Sequence, residues 1–598
     1  MKKLVPTALV LIALAVAALV FFQHETPHRP RAAEIAPAEA LFFAQLPDVR
    51  RSVRRWPETA LARLWLEPEM QTFLEMPRQK MPLFVRARET LARLERVAPR
   101  EAFVAVTSLR GATPEFVAGF AYSGGQGEAA ALMAEARTAW KKAWPAGRTE
   151  LSNYGGCEIE TYSAEGQVVA ECFHAGWYLV ASHPDALKTA LDRCDGKAGG
   201  SLAGTEDFRE STAALPADLD GVIFAQLGAW MESGGNLPTL AWGTKIEGAQ
   251  MRDTIFLKGA GTAGPPLPRG TQALNTADTL FYAALALPER AELTEAVSAV
   301  LGLMGPALGT LETELARRRL TWAEFGAAFG PEVGSVLDWP EQADAPAAVF
   351  ALAVRDAVKA RSFVETLTDP ALGGVNWTRE QSNGAIFYTA PVAESAGASP
   401  GIALSERFAV LAGSAASARE GLARLSGGGA AIEGVASFQT TAGQMREPTA
   451  GFARLDLRAL FERSYATLRP FLAMSLAFSP ETSQYLDASK LPSTEAIARH
   501  LGPTIYSHSA TGQGTLIESA GTFTLSQTLA GVLAGGWTSV GPVFEGLGKK
   551  DAGSDPTIPT SRPDPPAPPP TIAPATPANF SQKPADPVAT RPGAPSQP

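Results

Sequence analysis

A register of matching residues that holds over most of the chain constrains its fold more than any other feature. Trp177-Tyr-Leu-Val-Ala-Ser182 leads into Ala186-Leu-Lys-Thr-Ala-Leu-Asp-Arg-Cys-Asp-Gly196, then Phe208 and Gly221-Val-Ile-Phe-Ala-Gln-Leu227. Further on, Phe408-Ala-Val-Leu-Ala-Gly413 leads into Gly421-Leu-Ala-Arg-Leu-Ser-Gly427, then Phe438 and Gly451-Phe-Ala-Arg-Leu-Asp-Leu457. Trp177 to Phe408, Leu191 to Leu422 and Arg193 to Arg424 are offset by 231, and Gly221 to Gly451 and Leu227 to Leu457 by 230. Upstream, Leu41-Phe-Phe-Ala-Gln-Leu-Pro47 matches Leu280-Phe-Tyr-Ala-Ala-Leu-Ala286 at an offset of 239, and Gly156 matches Gly384 at 228. Such a register implies an internal duplication, with each copy opening on the same short apolar strand.

Within each copy, strand-like and helix-like stretches follow one plan. Ala102–Thr107 and Glu115–Tyr122 read as strands and Glu128–Trp144 as a helix, against Ala347–Ala353 and the helical Asp356–Leu367 in the second copy. Strand pairs follow: Cys157–Tyr162 with Val168–Phe173, and Ala385–Thr389 with Gly401–Leu404. Thr254–Leu257 and Thr515–Glu518 close the copies. Between Asp48 and Val97, helices broken near Pro57, Pro68, Pro77 and Pro82 are expected. Consecutive short strands joined by turns predict antiparallel pairing. The expected fold class is therefore α+β: two repeated lobes, each an antiparallel meandering sheet with helices on one face.

The ends differ from the middle. Lys2-Lys3 precede an uncharged apolar run, Leu4 to Phe22, long enough to cross a bilayer as a helix, with no small-x-small cleavage site directly after it. An uncleaved signal anchor is expected, with the following chain on the extracytoplasmic side; cleavage after Ala17 or Ala18 is the alternative. Past Lys549 the composition is Pro, Ala, Ser and Thr, which cannot bury a core and predicts a disordered tail. The partition expected is 1–23 signal anchor, 24–38 linker, 39–262 first repeat, 263–275 linker, 276–525 second repeat, 526–548 apolar Gly-rich segment and 549–598 Pro-rich tail.

Chemistry is sparse. A net charge of -9 over 598 residues, without long charged runs, gives no reason to expect nucleic acid. Arg50, Arg51, Arg54, Arg55, Arg86, Arg88, Arg93 and Arg96 suggest either a face on anionic lipid or a solvated helix surface. His24-Glu25-Thr26-Pro27-His28 spells the H-E-x-x-H of zinc peptidases, but Pro27 lies inside the turn that must present both imidazoles. His174 and His183 match Ser405 and Ser414, as strand ends and turns would. Of the three cysteines, Cys157 and Cys172 flank a hairpin turn that, centred near Ala164, would set them opposite each other for a disulfide. The competing reading is three small buried hydrophobes, since Cys157, Cys172 and Cys194 match Ala385, Ala403 and Leu425. Trp177, Trp230, Trp242, Trp339 and Trp377 line either a groove or the core. No residue is assigned a catalytic, cofactor-binding or metal-ligating role, and no cofactor is expected.

With its anchor, its opening strand Leu41–Pro47 and its Phe408-to-Leu457 pattern, the chain resembles a family of uncharacterised bacterial membrane-anchored extracytoplasmic proteins across most of residues 39–525. The resemblance implies compartment and fold, and transfers no catalytic residue. The expected function is non-enzymatic binding of a protein partner or apolar ligand between the two lobes, with the membrane, through the N-terminal helix, as the other partner. An envelope hydrolase or a structural spacer are the alternatives.

Overall fold

The computed structural model describes residues 29–80, 97, 99–109, 114–123, 125–143, 145–164, 166–197, 199–230, 238–259, 264–287, 315–343, 345–373, 375–391, 399–428, 445–478 and 486–527. The expected anchor, the H-E-x-x-H string and the Pro-rich tail lie outside these residues, as does the Gly-rich segment from 528 onward. Among the described residues no helix is long and apolar enough to cross a membrane.

Ten strands make up the first half: β1 (Phe42–Leu46), β2 (Pro99–Ser108), β3 (Glu115–Tyr122), β4 (Arg148–Tyr154), β5 (Cys157–Ala164), β6 (Gln167–His174), β7 (Trp177–Ala181), β8 (Gly221–Gln226), β9 (Thr239–Glu247) and β10 (Gln250–Lys258). The second half holds β11 (Thr279–Ala286), β12 (Phe329–Asp338), β13 (Ala347–Val354), β14 (Thr378–Ser382), β15 (Ala385–Thr389), β16 (Gly401–Leu404), β17 (Phe408–Ala412), β18 (Gly451–Asp456), β19 (Pro503–Thr511) and β20 (Gly514–Gly521). All pairings are antiparallel and form one continuous sheet. From one edge the order is β4-β5-β6-β7-β3-β2-β1-β8-β9-β10, and it continues β20-β19-β18-β11-β12-β13-β17-β16-β15-β14. The halves therefore meet as β10 against β20, with Thr254 opposite Glu518 at the middle of the seam.

Helices cover both faces of this sheet, which corrects the expectation of helices on one face. In β7, Trp177 and Leu179 join a core under the Pro184–Cys194 helix with Ile35, Phe43, Leu187 and Leu191. Tyr178, between them, points the other way and packs on Phe120 and Phe173, beside the Gln126–Ala143 helix that contributes Ala129 and Leu132. The second half repeats this division. Phe408 and Val410 face one core with Ala418 and Leu422 of the Ala415–Ala423 helix, while Ala409 and Leu411 face another with Phe363 and Val364 of the Ala357–Leu367 helix. The reason is in the strands: Trp177-Tyr-Leu-Val-Ala181 and Phe408-Ala-Val-Leu-Ala412 are continuous apolar runs, and such strands cannot leave one face in water.

Part of each stretch expected as a linker is drawn into a core: Ala32, Ile35 and Ala36 in the first, Leu267 and Leu274 in the second. Ala32–Ile35 is a single helical turn with Ala32, Ile35 and Ala36 fully buried. Glu101 accepts from the Ala32 amide at 3.0 Å, and the Arg193 guanidinium donates to the Ile35 carbonyl at 2.6 Å. In the second half the Gly270–Leu274 turn is held likewise: Glu332 accepts from the Gly270 and Thr271 amides at 2.7 and 3.0 Å, and Arg424 donates to the Leu274 carbonyl at 3.0 Å. A one-turn helix has free amides at one end and free carbonyls at the other, and buried ones need partners. A buried carboxylate and an arginine supply both, so a polar, proline-containing stretch becomes a plug. Glu332→Ala removes the acceptor of two backbone amides and of the Thr271 hydroxyl, and is expected to lower stability by about 2–3 kcal/mol, read as a fall in the urea midpoint.

The helices after β1 break where proline requires, at Pro57 and Pro68, whereas Pro77 is accommodated in the first turn of Glu75–Lys80. Two of their arginines turn inward. Arg51 and Arg55 reach the buried Asp220, which also accepts from the Ile246 amide at 2.8 Å and from Ser52 at 3.1 Å. Further along, Glu67 and Glu69 meet His500 at 2.7 Å and the Ser493 amide at 2.6 Å, so these helices also contact the second half.

Candidate functional site

A roomy concavity left by small residues lies in the second half. β13 and β17 pair with Phe350 opposite Leu411 and Val349 opposite Ala412. Their ends, with the start of β16, carry Ala347, Ala348, Gly401, Ala412 and Gly413, whose small side chains leave the sheet bare. Gly401 must be small for another reason: a Cβ there would stand 2.5 Å from the Ala415 Cα, where the next helix begins. The Ala357–Leu367 helix sends Phe363 and Val364 into the neighbouring core and its last residue, Leu367, to the groove, while Phe350 on β13 stays half-exposed. The result is an open groove of about 640 Å³ walled by Phe350, Leu367, Trp377, Ile402, Leu411 and Pro400.

A few polar groups converge on it. Arg318 lines the groove and donates to the Leu367 carbonyl. Ser414 caps the Ala415–Ala423 helix by accepting from the Ser417 amide at 3.0 Å, and the two hydroxyls stand 2.7 Å apart. The Trp377 indole N–H is buried without a hydrogen-bond partner, a donor that an acceptor in the groove would satisfy. An apolar wall with a few polar groups is the usual make-up of a small-molecule site. It lies within the second half, on strands separated from the β10–β20 seam by β19, β18, β11 and β12.

The cysteines hold a second arrangement. In the β5–β6 hairpin Ala164 faces Gln167 and Gly166 takes the left-handed turn position, so the turn sits one residue later than expected and the register moves by two. Cys157 therefore meets His174 and not Cys172, and all three cysteines are free. The Cys157 Sγ is 2.9 Å from His174 Nδ1, and His174 Nε2 is 2.6 Å from an Asp195 oxygen. The other Asp195 oxygen accepts from Lys197 at 2.7 Å. Lys197 and His174, in that order, hold the Asp195 carboxyl below its usual range. Burial, with Asp195 second, raises the Cys157 thiol, and burial pushes Cys172 and Cys194 up to about 12.

Other residues singled out by sequence have structural places. Trp177 is fully buried, Trp339 donates to the Ala343 carbonyl at 2.9 Å, and Trp377 lines the groove. His183 and Ser414 both sit at helix N-caps, as their match requires. Gly397-Ala-Ser399-Pro-Gly401 fits the G-x-S-x-G pattern, but here Ser399 precedes strand β16, whereas a nucleophile elbow follows a strand and opens a helix. Glu171 is bound by Arg137 and the Tyr178 hydroxyl beside a cavity of about 20 Å³, room for one water. Among the described residues no group of three or more His, Cys, Asp or Glu side chains is placed to hold a metal ion.

No family model and no curated protein matches the sequence. Among solved structures, crystal forms I and IV of TP0453 are similar over 39% and 38% of this chain and 79% of that chain. The TM-scores are 0.23 and 0.24 at identities of 9% and 10%, too low to bear on fold or activity.

Proposed function

We propose that this is a membrane-anchored extracytoplasmic protein built from two repeated α+β lobes, which captures an apolar ligand in the groove beside Phe350 and Trp377. The groove carries this reading: apolar walls, a guanidinium at the rim and a buried indole N–H without a partner suit an elongated apolar molecule ending in a carbonyl or carboxylate. The anchor and compartment rest on the Leu4–Phe22 run and on the resemblance to membrane-anchored envelope proteins.

Support for the duplication comes from the sheet registers, because offsets read from side-chain identity agree with backbone pairing. Phe42 faces Ala225, and the residues 239 and 230 further on, Phe281 and Leu455, face each other. Glu160 faces Glu171, and 228 and 231 further on Tyr388 faces Ile402. Phe173 faces Tyr178, and 231 further on Leu404 faces Ala409. Side-chain devices follow the same offsets, Glu101 with Glu332 and Arg193 with Arg424.

A long-chain fatty acid should displace anilinonaphthalenesulfonate from the full chain saturably, and Phe350→Glu should weaken that binding by at least ~10-fold. Phe350 is half-exposed, so the variant is expected to keep its urea midpoint. No saturable binding, or an unchanged affinity in the variant, overturns ligand capture here. One observation favours a second reading, recruitment of a protein. The offset rises from 230 at Gly221/Gly451 to 264 at Gln250/Gly514, so the second half is 34 residues longer between β18 and β19. That insertion carries the Leu457–Phe478 helix, which exposes Leu468, Phe471, Met474 and Phe478.

A further inference from the structure

The geometry points to Cys157, His174 and Asp195 as a nucleophilic thiol site that accepts an acyl group from an ester or thioester. A nucleophile within hydrogen-bond reach of a base, itself oriented by a third group, is the arrangement that acyl transfer through a covalent enzyme intermediate requires. Here Sγ meets Nδ1 at 2.9 Å, Nε2 meets the carboxylate at 2.6 Å, and Lys197 holds that carboxylate from its other oxygen. The three side chains come from separate elements: the first residue of β5, the last of β6 and the residue after the Pro184–Cys194 helix. Three different local structures thus converge on one imidazole.

Placement and surroundings add to the geometry. The thiol, 8% exposed, follows the Gly155–Gly156 turn, where both φ angles are positive and an added Cβ would meet nothing within 4 Å, so it lies directly beside an uncrowded turn at the surface. The matching positions of the second half, Ala385, Ser405 and Ser426, carry neither thiol, imidazole nor carboxylate, although the hairpin register is kept. A group needed only to close the hairpin would have no reason to differ in all three members at once.

The step balances without an outside oxidant. Sγ attacks the acyl carbonyl as its proton passes to Nδ1; the C–S bond forms, the C–O bond breaks, and the leaving alcohol takes the proton from His174. Water then attacks the thioester, giving up a proton to His174, the C–S bond breaks, and the thiol is restored with release of a carboxylic acid. Cys157 is the nucleophile, His174 the base, and Asp195 a positioning residue that acts through His174.

The test uses the full chain with p-nitrophenyl acetate at neutral pH, reading nitrophenol release and locating the acetyl group by peptide mass. Cys157 is expected to be acetylated well before Cys172 and Cys194, which are internal controls in the same molecule. A positioned base contributes ~100-fold or more, so His174→Ala should slow acetylation of Cys157 by about that factor, and Asp195→Asn by less. Acetylation of another cysteine first, in the unaltered chain, overturns the assignment without any variant having to fold. An unchanged Cys157 rate in His174→Ala, with far-ultraviolet dichroism unaltered, reduces the arrangement to a structural hydrogen bond and overturns it equally.

Discussion

Trp177→Ala is expected to lower the unfolding free energy by about 3–5 kcal/mol, the range for emptying a fully buried aromatic site. The side chain is completely buried in the first core, edge-on to Phe103 at 5.6 Å between ring centroids, and its indole N–H donates to the Pro30 carbonyl at 3.1 Å. Removal therefore leaves a cavity and orphans a carbonyl in the segment that plugs this core. Trp177→Phe sets the residue of the matching position, Phe408, into the first half. It retains most of the packing and loses only the indole hydrogen bond and part of the ring, so it should cost less than half as much. Urea unfolding followed by near-ultraviolet dichroism separates the two. Equal losses for both variants would mean that the hydrogen bond to Pro30, and not ring volume, dominates.

Glu518→Ala is expected to cost a similar amount, about 3–5 kcal/mol, for a different reason. Glu518 is almost wholly buried at the seam, where it pairs with Arg252 from the adjoining strand and accepts from the Arg446 amide at 2.9 Å. In the β10–β20 ladder Arg252 stands opposite Ala520 and Glu518 opposite Thr254, so the ion pair runs diagonally across the line where the halves join. Truncating the glutamate strands a guanidinium that is itself mostly buried. The double variant Arg252→Leu/Glu518→Leu removes both charges and should recover most of the loss, because an apolar pair of comparable size avoids the desolvation that an ion pair carries. A double variant as unstable as the single one would show that the seam depends on the Arg446 contact instead. Unfolding in two separated transitions in Glu518→Ala would identify this pair as what couples the halves.

Strands with regular apolar content were legible in the chain. β1, β2, β3, β5, β6, β7, β8, β10, β11, β13, β15, β16, β17, β18 and β20 fall where the apolar runs place them, within a few residues. Two of those missed share a physical cause. β4, Arg148-Thr-Glu-Leu-Ser-Asn-Tyr154, and β14, Thr378-Arg-Glu-Gln-Ser382, are the outermost strands of the sheet and are exposed along nearly their whole length, so they have no buried face to impose alternation. Polar edge strands are how a sheet avoids pairing with other chains. β12 begins Phe329-Gly-Pro-Glu332, a sequence that reads as a turn, and only the neighbouring strands draw it into the ladder.

The candidate sites were less visible for the same kind of reason. The groove beside Phe350 is made by what is missing, large side chains on three strand ends, and no spacing in the chain announces an absence. Cys157, His174 and Asp195 are 17 and 21 residues apart, at a strand start, a strand end and a helix end. Their meeting depends on a hairpin register that a single glycine shifts. With the turn placed one residue early, the cysteines faced each other in the expected pairing and the histidine faced nothing.

The chain by itself determined the α+β class, the antiparallel pairing and where most strands lie, because apolar periodicity is a local property. Continuous apolar runs in β7 and β17 even carried the information that both sheet faces must be covered. Only the tertiary structure decided that Ala32–Ile35 and Gly270–Leu274 are core plugs, since their burial rests on a carboxylate and an arginine more than sixty residues away in sequence. It also decided that the halves fuse into one sheet through β10 and β20, and that a thiol, an imidazole and a carboxylate share one corner. Those outcomes depend on which distant groups can satisfy a buried polar atom, a condition that exists only once the chain has closed on itself.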